Sequence, residues 1–187
     1  MDKIHFEIIL NHYVEIWKNS PKIYFWDKGP IEKLPSDFRV LEFPPSISRN
    51  MWTYATCGMS DESKEVSMEL HLFSSIQDTS IVELLTSVVY YDHNTSSLGL
   101  NHSVNFGRPW QNQSICEYGL ISLPYLDGPE LENLYSNKTA KVTKFYWLIP
   151  VTETEIKFKA KFGLDALEEK FDKGLDYANP NRPSLVG

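Results

Sequence analysis

Apolar positions along the chain fall into two periods. Phe6, Ile9, Leu10, Tyr13, Ile16 and Trp17 recur at helical spacing with polar residues between them, which predicts an amphipathic helix ended by Asn19-Ser20-Pro21. Short β-type runs follow at Ile23–Trp26 and Phe38–Phe43. Pro44-Pro45 stops the second, because proline has no N–H to give a ladder. Met51–Cys57 is rich in aromatic and β-branched residues, and Val66–Phe73 alternates Val66, Met68, Leu70 and Leu72 with polar neighbours. Gly58–Ser63 between them predicts an antiparallel hairpin. Behind Asp78-Thr79-Ser80, the spacing of Ile81, Leu84, Leu85 and Val88 predicts a second helix to about Tyr91.

Asp92 to Gln113 reads as a long polar connection, a length that in compact domains tends to carry function. Ile115–Leu123 and Lys144–Ile149 read as buried strands, joined in part by the turn-rich Pro124-Tyr125-Leu126-Asp127-Gly128-Pro129. Thr152-Glu153-Thr154-Glu155 is a capping box, with Val151 and Ile156 placed as a staple for a short helix to Phe162. Asp165-Ala166-Leu167-Glu168 starts a last helix ending near Gly174, and the Asn179–Pro183 tail is irregular. No repeat or linker divides the 187 residues. The expectation is one α+β domain, a central and mostly antiparallel sheet flanked by helices.

Eighteen Lys and Arg stand against twenty-five Asp and Glu, a net charge of −7 without any basic run. Phosphate binding needs clustered cations, so nucleic acid is not expected as a partner, whereas a basic protein fits the charge. The N-terminus lacks an uninterrupted apolar core and no stretch is long enough to span a bilayer, so a cytoplasmic protein off the membrane is expected. Two cysteines, Cys57 and Cys116, are too few for a disulfide framework.

The order of several blocks is distinctive. Met51-Trp52-Thr53-Tyr54-Ala55-Thr56-Cys57-Gly58-Met59-Ser60 resembles the hallmark strand and turn of suppressor-of-fused domains. Glu69-Leu70-His71-Leu72-Phe73, Val104–Trp110, Leu123–Pro129 and Phe145–Glu153 resemble the blocks that follow in that family, and the resemblance runs on to Arg182-Pro183-Ser184. It implies a sheet flanked by helices and a protein-binding role, with no catalysis and no cofactor. Animal members carry a second lobe and clamp a transcription factor. This chain resembles the stand-alone bacterial members, which are regarded as immunity proteins that bind and neutralise toxins. The resemblance also implies that a partner peptide can add as a strand at an open sheet edge, for which Phe38–Phe43 is a candidate.

For binding, Asn105, Arg108, Trp110, Tyr125, Asp127 and Glu130 bring hot-spot residue types together with polar ones in two irregular segments. The structural alternative is that Trp110 plugs the core and Arg108 pairs with Asp127. Catalysis has little to stand on. His93, His102 and Cys116, with Asp92, are the only constellation worth testing for a metal-dependent hydrolase, and their spacing matches no zinc pattern. Glu155 is explained by capping. The partner expected is therefore a protein, either a cognate toxin or, alternatively, a regulated cellular protein.

Overall fold

The computed structural model describes residues 3–60, 67–111, 113–135 and 142–187. The predicted turn residues Asp61–Ser63, and Val66, lie outside them. Helix α1 (Lys3–Trp17) leads into β1 (Lys22–Tyr24), β2 (Arg39–Phe43), β3 (Trp52–Cys57) and β4 (Ser67–Ser74). Helix α2 (Ser80–Asn94), β5 (Ser103–Asn105) and β6 (Cys116–Ser122) follow. The chain continues through α3 (Pro129–Glu132), β7 (Asn133–Tyr135), β8 (Val142–Thr152), α4 (Glu153–Phe162) and α5 (Leu164–Phe171). All strands join one sheet in the order β1-β2-β3-β4-β8-β6-β5, with β7 also on β8. Among the described residues β4 and β8 pair in parallel and every other pair is antiparallel.

Strand alternation sends the sheet's side chains to two covered faces. Met68, Leu70, Leu72, Tyr146 and Leu148 pack under α2 with Ile81, Leu84, Leu85 and Val88. The opposite face carries two clusters. Ile9, Tyr13 and Trp17 of α1 meet Leu41, Phe43, Ala55 and Phe145. Farther along, Leu167 and Phe171 of α5 meet Phe73, Leu120, Trp147, Ile149 and Val151.

The predicted alternation of β4 is present, yet all eight of its residues are buried. Its polar positions face a second core instead of water. Glu69 takes the backbone N–H of Gly58 (3.0 Å), Met59 (3.2 Å) and Ser60 (2.9 Å) together with the Thr56 hydroxyl (2.6 Å). That grip fixes the chain as it leaves β3.

Several expectations change. Phe38–Phe43 is not an edge, because β2 lies between β1 and β3. The long connection after Asp92 is not free of regular structure: α2 runs to Asn94, and Ser103–Asn105 pairs with β6 as an outer strand. Helix α5 starts one residue before Asp165, behind a Gly163 cap with φ 92°. The capping box of α4 is complete, with the Glu155 carboxylate accepting from Thr152 N (2.8 Å).

Capping does not exhaust Glu155, however. Arg182 of the tail donates to both its oxygens (2.8 and 2.7 Å) and to the Pro150 carbonyl (2.8 Å), and Leu185 N adds a bond of 3.0 Å. Burial would raise the Glu155 pKa, but these donors outweigh it and hold the carboxyl below its ordinary value. The irregular tail is thereby latched to the start of α4.

Candidate functional site

Between β6 and β7 the chain crosses the sheet face that carries α1 and α5. This bridge, residues 123–132, contains the exposed pair Tyr125 and Leu126, the turn at Asp127-Gly128, and α3. The Pro124 carbonyl accepts from Asp127 N (2.9 Å) and Gly128 N (3.2 Å), and Gly128 adopts φ 81°, a left-handed value that glycine takes without a Cβ penalty. Leu131 is buried in the α1 cluster, and its carbonyl lies 3.0 Å from His12 Nε2.

Asp127 anchors the bridge. Its side chain is fully buried and faces polar groups from three separate elements. Trp17 Nε1–H at the end of α1 donates to Oδ1 (2.7 Å), Arg49 from the β2–β3 connection reaches the same oxygen, and His71 Nε2 of β4 lies 3.0 Å from Oδ2. Burial favours the neutral acid, but His71 and Arg49 outweigh that and hold the carboxyl down at about 2. The Arg49 guanidinium also lies 5.0 Å from the Trp17 ring and 4.9 Å from the Phe73 ring. The ion cluster occupies the seam between the two apolar clusters of this face.

What the anchored bridge presents to solvent is apolar at its centre and acidic at its rim. Tyr125 is 62% exposed and Leu126 46%. Partial burial pushes the Tyr125 hydroxyl up, and the charges of Glu168, Asp172 and Glu132 push it further. Glu168 is itself raised, by burial and then by Asp165 and Asp172. Glu130 is exposed on α3. An apolar centre with a charged rim is the usual anatomy of a protein interface.

By residue type the sequence groups Asn105, Arg108 and Trp110 with Tyr125, Asp127 and Glu130. The fold separates Arg108 and Trp110 from Tyr125, Asp127 and Glu130. Trp110 is buried in the cluster under α2. Arg108 donates to the Ser80 carbonyl (2.8 Å), so the pairing with Asp127 does not form. Asn105 is exposed on the outer strand β5 and accepts from Gly107 N (2.7 Å). Asp127 is an anchor with no exposed side chain. Its neighbours Trp17, Arg49 and His71 lie far from it in sequence and carry no local signal for that role.

The histidine and cysteine constellation does not assemble a metal site. His93 Nε2 lies 2.9 Å from the Met59 carbonyl, and Cys116 is a buried thiol pushed up by burial. Among the described residues no group of three His, Cys, Asp or Glu is placed to hold a metal ion. Nor is any helix among them long and apolar enough to cross a membrane.

The family model for suppressor of fused protein matches residues 35–183. The chain belongs to the suppressor-of-fused family. A crystal structure of a suppressor-of-fused homolog from Neisseria gonorrhoeae FA 1090 is 34% identical, covering 98% of this chain and 98% of that one, with a TM-score of 0.84. The structure of the Sufu–Fu complex matches at 15% identity over 97% of this chain and 92% of that chain (TM-score 0.73). Drosophila suppressor of fused matches at 15% identity and TM-score 0.70, covering 99% of this chain and 54% of its own, so this chain spans about half of that protein. These two likenesses show a shared fold. No curated protein matches the sequence. Arg49, His71 and Asp127 all lie inside the span matched to the suppressor-of-fused family, whereas Trp17 precedes it.

Proposed function

We propose that this suppressor-of-fused chain is a protein-binding module, an immunity protein that neutralises a cognate toxin in the cytoplasm by direct binding through the 123–132 bridge. The observation that carries this reading is the solvent-facing Tyr125-Leu126 pair, followed in the chain by the acidic Glu130 and Glu132, on a segment rooted in the buried Asp127 carboxylate that Trp17 and Arg49 hold. Tyrosine brings large contact area at low entropic cost, and a segment held rigid before binding loses little freedom on complex formation. The net charge of −7 favours a partner whose groove is basic, such as a toxin that handles nucleic acid. The relative crystallised as the Sufu–Fu complex lends support by fold analogy.

A pull-down of the tagged protein from its native host tests the reading. The expected result is one stoichiometric partner with a toxin-like domain. A cellular regulator in its place would move the protein to a scaffold role. With the partner in hand, Glu130→Lys with Glu132→Lys should cut the association rate by roughly tenfold at low salt and flatten its salt dependence. An unchanged rate would place the binding face elsewhere.

A further inference from the structure

The hairpin connection between β2 and β3 carries the most exposed apolar side chain among the described residues. Ile47 is 108% exposed, with no protein atoms shielding it. Lone apolar residues on a surface are common and by themselves mean nothing. What sets Ile47 apart is the closed backbone turn that presents it. Ser46 N donates to the Arg49 carbonyl (2.7 Å) and Arg49 N to the Ser46 carbonyl (3.2 Å), closing a two-residue turn with Ile47 at its tip. The Ser46 and Ser48 hydroxyls lie 3.1 Å apart within that turn. Pro44 and Pro45 precede it, and Asn19 Nδ2 donates to the Pro44 carbonyl (2.8 Å). Arg49, the last residue of the turn, sends its side chain down onto Asp127.

That last contact ties the turn to the bridge. Asp127 follows directly after Tyr125-Leu126, so one buried ion pair sets the position of the Ile47 tip relative to the exposed aromatic pair. We infer that Ile47 is a second anchor of the interaction surface, a fixed apolar knob that Arg49 registers to the acidic, aromatic bridge. This rests on the bridge being the binding face. The partner it fits is a basic protein surface that carries an apolar pocket beside its cationic groups. The cationic groups meet Glu130, Glu132, Glu168 and Asp172, while the pocket takes a side chain of isoleucine size. Charge complementarity with these carboxylates selects that occupant, and a tip whose backbone turn is already closed loses little backbone freedom on binding. Arg49 acts as a positioning residue and makes no contact with the partner.

Site-specific photo-crosslinking in the native host tests this, because it captures whichever protein touches the chosen position. p-Benzoylphenylalanine replaces Tyr125 in one version of the protein and Ile47 in another. The expected result is the same crosslinked protein, of one mass, from both positions. In the Tyr125 version, adding Ile47→Asp should reduce the crosslink by roughly ten- to a hundredfold, as loss of one buried aliphatic anchor predicts. Ile47→Asp should leave the unfolding midpoint unchanged, because the side chain touches only water. An undiminished Tyr125 crosslink in the Ile47→Asp background overturns the knob and leaves the bridge reading standing. A crosslink from position 47 with none from position 125 overturns the bridge instead. No specific crosslink from either position overturns both.

Discussion

Replacing Asp127 with Asn keeps the shape of the side chain and an acceptor for Trp17, but removes the charge that Arg49 and His71 face. Two contributions can be worked from the structure. Removing one member of a buried ion pair leaves its partner uncompensated, which costs about 3 kcal/mol. The pH dependence follows from the carboxyl being held at about 2 in the folded protein, against 3.8 ordinarily. A folded-state pKa lowered in this way stabilises above the unfolded value and is lost as pH falls through the folded one. The linkage is worth about 2 kcal/mol at neutral pH, of which about 1 kcal/mol is gone by pH 3. Urea unfolding followed by tryptophan fluorescence, for wild type and Asp127→Asn at pH 7, 5, 4 and 3, measures both quantities. The gap between the proteins should stay constant from pH 7 to 5 and narrow by about 1 kcal/mol at pH 3. A gap that does not change with pH would refute the claim that His71 and Arg49 stabilise an ionised Asp127.

Arg182→Met should cost about 3 kcal/mol by leaving the Glu155 carboxylate buried without its cation. Hydrogen exchange should then rise first in the 176–187 tail, and Glu155→Gln should have the same local signature. Gly119→Ala should destabilise by about 1–3 kcal/mol in thermal unfolding, because a Cβ there would sit 2.5 Å from Leu148 Cδ1 and 2.7 Å from Phe106 Cζ. The Cys57 and Cys116 thiols, both buried and both pushed up by burial, should react with a disulfide reagent only as fast as the protein unfolds; rapid labelling in the native state would contradict their burial.

Local chemistry is what the linear sequence determined. The helical period of Phe6 to Trp17, the β-branched and aromatic run of Met51–Cys57 and the capping box at Thr152 specify conformation through near neighbours. Each matched an element within a few residues. The ordered blocks from Met51 to Arg182 likewise carried the family. What the tertiary structure decided was the meaning of the polar residues inside those elements. Glu69 and His71 alternate with leucines as solvent-facing residues do, and only the second helical layer, α1 and α5, turns their side of β4 into an interior. Arg49 sits two residues beyond Pro44-Pro45-Ser46-Ile47 in what reads as an ordinary surface turn. Its pairing with Asp127 spans 78 positions, and no local signal encodes an ion pair that exists only once β6 has crossed to β8. The same crossing separates Trp110 from Tyr125. Side-chain periods reveal which residues share a face of one element, but the face of the assembled sheet is set by long-range pairing, above all the parallel contact of β4 with β8.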